Sequence, residues 1–192
     1  MVYITESKYF RGSKIYYIKK SNMTQRIVLG LLAFICIINS CKNQNAEPKT
    51  AASETTQTMS PLQKNIQDIE AYLESNNITA QKTDNNLYYV VTREGDGTHP
   101  TISDQVTLHY RGYTLDGNVF DASYDKGQPI TYPLSGFVQG WQQGIPMFSR
   151  GGAGQLFLPS TLGYGQYPPP GSGIQPNAVL IFDVELIKIN GQ

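Results

Sequence analysis

The run Ala178-Val-Leu-Ile-Phe-Asp-Val-Glu-Leu186 constrains the fold most, because Leu180, Phe182, Val184 and Leu186 share one face of an extended chain, opposite Asp183 and Glu185. That alternation suits a half-exposed antiparallel sheet. Val106, Leu108 and Tyr110 alternate in the same way with Thr107, His109 and Arg111, which puts Tyr110 on the core side. An earlier strand runs from Leu87 to Thr92 and ends in the turn Gly95-Asp96-Gly97. Residues 87–192 therefore read as an α+β domain dominated by sheet. One short helix, Gln139 to Ile145, crosses the concave face with Val138, Trp141 and Ile145 on its buried side. The sequence has no internal repeat.

Upstream the apolar period is helical. Ser60-Pro61 provides an N-cap and a proline at the first helical position, and Leu62, Ile66, Ile69 and Leu73 recur on one face. The helix runs to about Ser75 and is ended by Asn76-Asn77. With its connector it fills residues 60–86, and its stripe packs on its own domain or on a second copy, making a homodimer. Lys42 to Met59 is polar and has too little apolar surface to order itself, so residues 41–59 read as a tether with a reach of roughly 25 Å.

Residues 1–40 read as an address. Lys19, Lys20 and Arg26 precede the apolar run Ile27–Ile38, and Asn39-Ser40-Cys41 follows it. The run is about a dozen residues, short of the roughly 20 that span a bilayer as a helix. Met23-Thr-Gln-Arg26 makes a conventional n-region by itself, which points to Met23 as the start. Ile38-Asn-Ser-Cys41 resembles the bacterial lipobox, and the resemblance implies cleavage before Cys41, a lipid on its sulfur and a periplasm-facing envelope protein. No aspartate follows Cys41, which by the same analogy favours the outer membrane over the inner.

Charge and cysteine content exclude several classes. Basic and acidic residues number 15 each, so nothing argues for nucleic acid or an acidic polymer as partner. Both cysteines, Cys36 and Cys41, lie in or beside the N-terminal apolar run, so disulfide and zinc readings of the domain fail. Of the two histidines, His99 precedes Pro100 in a turn and His109 points away from Tyr110; neither has a recognisable catalytic partner, and both read as structural. Ser160-Thr161 lacks the company of a hydrolase triad.

An aromatic set remains. Trp141, the only tryptophan, falls just inside the short helix, with Tyr110, Phe120-Asp121, Tyr164 and Phe182-Asp183 elsewhere in the domain. The set has few acids and no nucleophile, base or metal cluster, so a site made from it binds something apolar. Each member has two readings: Trp141 as core or as a flat platform, Asp121 as rim acid or turn cap, Tyr164 as ligand donor or loop surface, and Phe182 and Tyr110 as packing or pocket wall.

Tyr110-Arg-Gly, Asp116-Gly-Asn-Val-Phe-Asp121, Val138-Gln-Gly-Trp141, Gly163-Tyr-Gly165 and Ala178–Leu186 together resemble the macrolide-binding (FKBP-type) peptidyl-prolyl isomerases, over roughly Leu87 to Asn190. The resemblance implies an antiparallel twisted sheet wrapped around a short helix, acting on proline-containing polypeptides without cofactor or metal. It implies catalytic roles for Asp121, Tyr164 and Phe182, and substrate contacts from Tyr110, Phe120, Ile130, Phe137, Val138 and Trp141, with Val138 contributing its backbone N–H. Ile130 stands where an aromatic is common, Phe137 replaces an aliphatic residue, and Pro168-Pro169-Pro170 and Ile174-Gln175-Pro176-Asn177 vary the usual pattern. A helix before the domain is also similar to the isomerase lipoproteins associated with gliding motility in Bacteroidetes. The competing reading is a non-catalytic peptide-binding or assembly module on the same fold.

The lipobox reading makes a direct prediction. Cys41→Ala should move the protein from the membrane to the soluble fraction and abolish an acyl mass at the mature N-terminus. A membrane-bound Ala variant beside a parent without acyl mass would overturn it.

Overall fold

The computed structural model describes residues 59–192, together with a pairing of two short strands, β1 (Tyr9–Phe10) and β2 (Ser13–Lys14). The apolar run of the export signal, Cys41 and the tether up to residue 58 lie outside the described residues.

Helix α1 (Pro61–Ser75) begins where its sequence says it should. Gln63 N–H donates to Ser60 Oγ at 3.2 Å and Ser60 N–H donates to Gln63 Oε1 at 2.9 Å, a reciprocal cap completed by Pro61. Asn76 caps the other end, and Asn77 turns the chain out through the left-handed region at φ 55°.

Seven strands follow in one antiparallel sheet: β3 (Gln81–Lys82), β4 (Tyr88–Arg93), β5 (Gln105–Thr114), β6 (Val119–Ala122), β7 (Ile130–Pro133), β8 (Ala153–Leu158) and β9 (Leu180–Ile189). Their order is β3-β4-β8-β9-β5-β6, with β7 also pairing to β5. The chain's last strand thus lies between β8 and β5. Strand β3 falls in the segment that reads as a connector, since two residues carry no period to recognise.

The inner face of the sheet carries the main core, with Leu108, Leu156, Leu158, Leu180 and Leu186 fully buried around the short helix α2 (Gln139–Gly144). α2 ends one residue before the expected Ile145, which opens a 3-10 turn. The helix lies directly on β8 because it turns glycines toward it. A Cβ on Gly140 would sit 2.3 Å from Leu158, and one on Gly144 would sit 2.7 Å from Leu156.

The outer face corrects the half-exposed sheet. Ile181 and Phe157 point outward yet are fully buried, packed with Tyr88 and Val179 beneath Ile69 and Leu73 of α1. The polar part of that face meets solvent. Asp183 accepts from Gln155 Nε2 at 2.8 Å and Tyr113 Oη at 3.2 Å, while Glu185 pairs with Arg93 at 2.9 Å. Of the two destinations open to the α1 stripe, its own domain is the one occupied. Leu62 and Ile66 are half-buried, and Asn65, on the same face, is 4% exposed.

Because Ile69 is completely enclosed, Ile69→Ala should cost about 2–5 kcal/mol. Urea unfolding followed by Trp141 fluorescence and by far-ultraviolet circular dichroism should give coincident transitions at a lowered midpoint. Separate transitions would show that α1 melts independently of the sheet.

Candidate functional site

The nine site residues singled out in the domain line one cavity of about 470 Å³. Strand β9 supplies Phe182 and β5 supplies Tyr110, both on the inner face as alternation requires. Phe120 and Asp121 come from β6, Ile130 from β7, Phe137 and Val138 from the approach to α2, Trp141 from its first turn, and Tyr164 from the loop after β8. Pro169, Ser172 and Ile174 complete the wall. Ile174 is an aliphatic residue in a proline-rich loop, and no periodicity marks it as pocket lining.

Trp141 forms the floor. It is 3% exposed and meets Tyr110 edge to face at 5.2 Å, Phe182 edge to face at 5.1 Å and Phe137 tilted at 4.7 Å. Its Nε1 has no hydrogen-bond partner among the described residues. Phe120 stands perpendicular to Phe182 at 5.6 Å. These two rings converge over Gly112, where a Cβ would lie 2.7 Å from Phe120 and 2.8 Å from Phe182. Trp141 is therefore a core residue that also lines the cavity.

Polar groups keep to the rim. Tyr110 Oη donates to Asp121 Oδ2 at 2.5 Å, and Lys126 Nζ lies 2.7 Å from Asp121 Oδ1. Burial pushes the Asp121 carboxyl up, but the Lys126 and Tyr110 hydrogen bonds outweigh it and hold the group below the usual carboxylate range. Tyr110 and Tyr164 are both raised above the ordinary tyrosine value, first by burial, then at Tyr110 by the Asp121 hydrogen bond and charge and at Tyr164 by the Asp121 charge. The Tyr164 carbonyl accepts the Tyr167 N–H at 3.2 Å, but its hydroxyl makes no hydrogen bond within the described residues and is free to donate into the cavity. Val138 is the N-cap of α2, and its N–H precedes the first helical turn and has no intrahelical acceptor.

Lys126, five residues after Asp121 in a Tyr124-Asp-Lys-Gly127 turn, escapes sequence reasoning because a lone surface lysine carries no signal. His109 needs a correction. Its Nδ1 lies 2.9 Å from Ser123 Oγ and its ring stacks on Tyr124 at 4.3 Å, so it does have a serine partner. That serine is fully buried and accepts Tyr110 N–H at 2.8 Å, which ties the end of β6 to β5 and keeps the role structural. His99 contacts the Pro146 carbonyl oxygen at 2.9 Å.

A larger open groove of about 580 Å³ runs beside α1, between Lys64, Asp68, Asp116 and Asn118. Its lining is mixed in charge and lacks converging aromatic faces. The aromatic cavity, with donors at its edge and no acceptor at its floor, suits a planar apolar group flanked by carbonyls.

Comparison with known proteins agrees. The family described as FKBP-type peptidyl-prolyl cis-trans isomerase matches residues 96–187. The probable FKBP-type peptidyl-prolyl cis-trans isomerase FkpA of Neisseria meningitidis serogroup B is 41% identical over 122 residues, covering 62% of this chain and 44% of its own. The peptidyl-prolyl cis-trans isomerase Mip of Coxiella burnetii is 42% identical over 105 residues, covering 55% and 45%. The chain thus spans less than half the length of these relatives. Among solved structures, FkpA from Escherichia coli superposes with a TM-score of 0.59 at 35% identity, covering 64% of this chain and 57% of that one. AtFKBP13 superposes with 0.54 at 30% identity, covering 57% and 98%.

The rim predicts a pH response. Lowered in the fold, the Asp121 carboxyl contributes stability that is present above its unfolded value and lost as pH falls through the depressed one. Lys126→Met should move its titration to higher pH, read by the carboxyl ¹³C shift of labelled aspartate. An unmoved midpoint would remove Lys126 from the rim's electrostatics.

Proposed function

This chain belongs to the FKBP-type peptidyl-prolyl cis-trans isomerase family, and we propose that its aromatic cavity accelerates cis-trans exchange of X-Pro bonds in polypeptide clients. The observation that carries this is the meeting of Phe120, Trp141 and Phe182 around a space edged by Asp121, Tyr164 and the Val138 N–H.

The reaction asks for no bond cleavage. Rotation about an amide bond crosses a barrier of about 18–20 kcal/mol, so uncatalysed X-Pro exchange takes tens to hundreds of seconds. The planar imide owes its polarity to resonance, and the twisted form has lost that resonance. Moving the bond from water into an apolar enclosure therefore favours the twisted form differentially. Trp141 offers its face to the proline ring, while Phe182, Phe120 and Tyr110 exclude water. The Val138 N–H and the Tyr164 hydroxyl hold the carbonyls on either side so that rotation is confined to one bond. Asp121 acts by fixing the Tyr110 wall and by the field it sets at the rim. An apolar residue before proline matches the lining.

The cellular setting joins this to the N-terminal sequence. The export signal and the lipobox-like Ile38-Asn-Ser-Cys41 support an envelope isomerase that assists folding of exported proteins, lipid-anchored and facing the periplasm at the outer membrane.

Asp121→Asn and Tyr164→Phe preserve volume and so test chemistry rather than packing. A charge-assisted hydrogen bond outweighs a neutral one, so Asp121→Asn should lower kcat/KM roughly 10-fold and Tyr164→Phe roughly 2- to 5-fold. Exchange on a Leu-Pro or Phe-Pro peptide is followed by magnetisation transfer, with circular dichroism confirming each fold. A folded parent that binds the peptide and leaves its exchange rate unchanged would make the domain a binding module instead.

A further inference from the structure

We propose that Asn65 of α1 is a positioning residue for Tyr164, so that the N-terminal helix is part of the machinery of the cavity; this rests on the isomerase reading above. Asn65 is a polar residue on the buried face of an otherwise apolar stripe, and its side chain is used at both ends. Its Oδ1 accepts the Ser160 N–H at 2.8 Å, and its Nδ2 donates to the Asn177 carbonyl at 3.0 Å.

Those two backbone groups lie near either end of the single connection between β8 and β9, which gives Tyr164, Pro169, Ser172 and Ile174 to the cavity wall, and that connection is also bonded to itself. The Ser160 carbonyl accepts the Gly165 N–H at 2.8 Å and the Gly163 N–H at 3.0 Å; the Gly165 carbonyl accepts the Asn177 N–H at 2.8 Å. The links close on themselves through Asn65, Ser160, Gly165 and Asn177. Gly165 and Asn177 both sit in the left-handed region, at φ 56° and 58°, so the junction is a defined conformation.

Tyr164 lies inside this closed circuit, between Gly163 and Gly165. Its hydroxyl has no protein partner to hold it, so its aim into the cavity depends on the backbone beneath it. Ser160 is 1% exposed and Asn65 4%, so within the protein the buried Ser160 N–H relies on the asparagine as its acceptor. Loss of Asn65 opens the circuit at two bonds and leaves the Ser160 N–H buried without its acceptor.

A double-mutant cycle separates positioning from general support. Asn65→Ala should lower kcat/KM on a Leu-Pro peptide about as much as Tyr164→Phe, and the double variant should be no worse than Tyr164→Phe alone. Multiplying losses, or an Asn65→Ala effect under twofold, would overturn the proposal. A second readout does not depend on turnover. In the free protein, the labelled Tyr164 ring resonances should shift or broaden in Asn65→Ala while those of Tyr110 stay unchanged. Equal change at both rings would assign Asn65 a purely structural role. A parent that fails to accelerate exchange refutes the isomerase reading, and the ring resonances still decide the role of Asn65. If Asn65→Ala does not fold, Asn65→Asp, which keeps the acceptor for Ser160 and loses the donor to Asn177, carries the same readings; failure of both to fold overturns positioning in favour of support.

Discussion

The structure depends on the two-faced character of β9. Leu180, Phe182, Val184 and Leu186 face inward, and the same strand turns Ile181 outward under α1. A slip of one residue that put Asp183 where Phe182 closes the cavity would also put Phe182 in the place of Ile181 and Glu185 in the place of the buried Val184. Two partners prevent it. β9 is paired along nine positions with β5, from Val106↔Ile189 to Thr114↔Leu180, and along six with β8. The cavity wall and the seat of α1 therefore share one register, and neither can be moved without the other.

The site sorts its chemistry by depth. Floor and walls are aromatic, and the charged pair Asp121–Lys126 stays at the rim where water still screens it. Burial and Asp121 both shift the Tyr110 and Tyr164 hydroxyls further from ionisation, in keeping with their place as neutral donors beside an apolar interior. A group whose polarity falls as it twists finds nothing inside that favours its planar form.

Much of this was legible in the sequence, for physical reasons that differ by element. The bounds of α1 are written in Ser60-Pro61-Leu-Gln63 and Asn76-Asn77, because capping is local chemistry. The inner face of β5 and β9 follows from alternation. The nine cavity residues come from six separate places in the chain, and only the resemblance to a known family gathers them before the fold does. What stayed hidden is non-local. Ile181 breaks the polar side of β9, a visible hint that the outer face is covered, but the cover is a helix more than a hundred residues earlier in the chain. The His109–Ser123 contact needs the register of the β5–β6 hairpin, which shifts between Gly112 and Tyr113. Asn65 could have been noticed four residues before Ile69 as a polar member of an apolar stripe, although its partners are backbone groups that no side-chain pattern reveals.

That placement also resolves how α1 finds one orientation on the sheet. Apolar burial of Ile69 and Leu73 attracts the helix but is indifferent to direction, and a rotation of one residue, about 100°, would still bury some of Ile66, Tyr72 or Leu62. Asn65 is not indifferent. Its amide must present an acceptor to Ser160 and a donor to Asn177 at once, and any other rotation of the helix leaves the buried Ser160 N–H and the half-buried Asn177 carbonyl unmet by it. Apolar contact thus supplies the attraction and a single amide selects the rotation, which in turn sets the β8–β9 connection that walls the cavity.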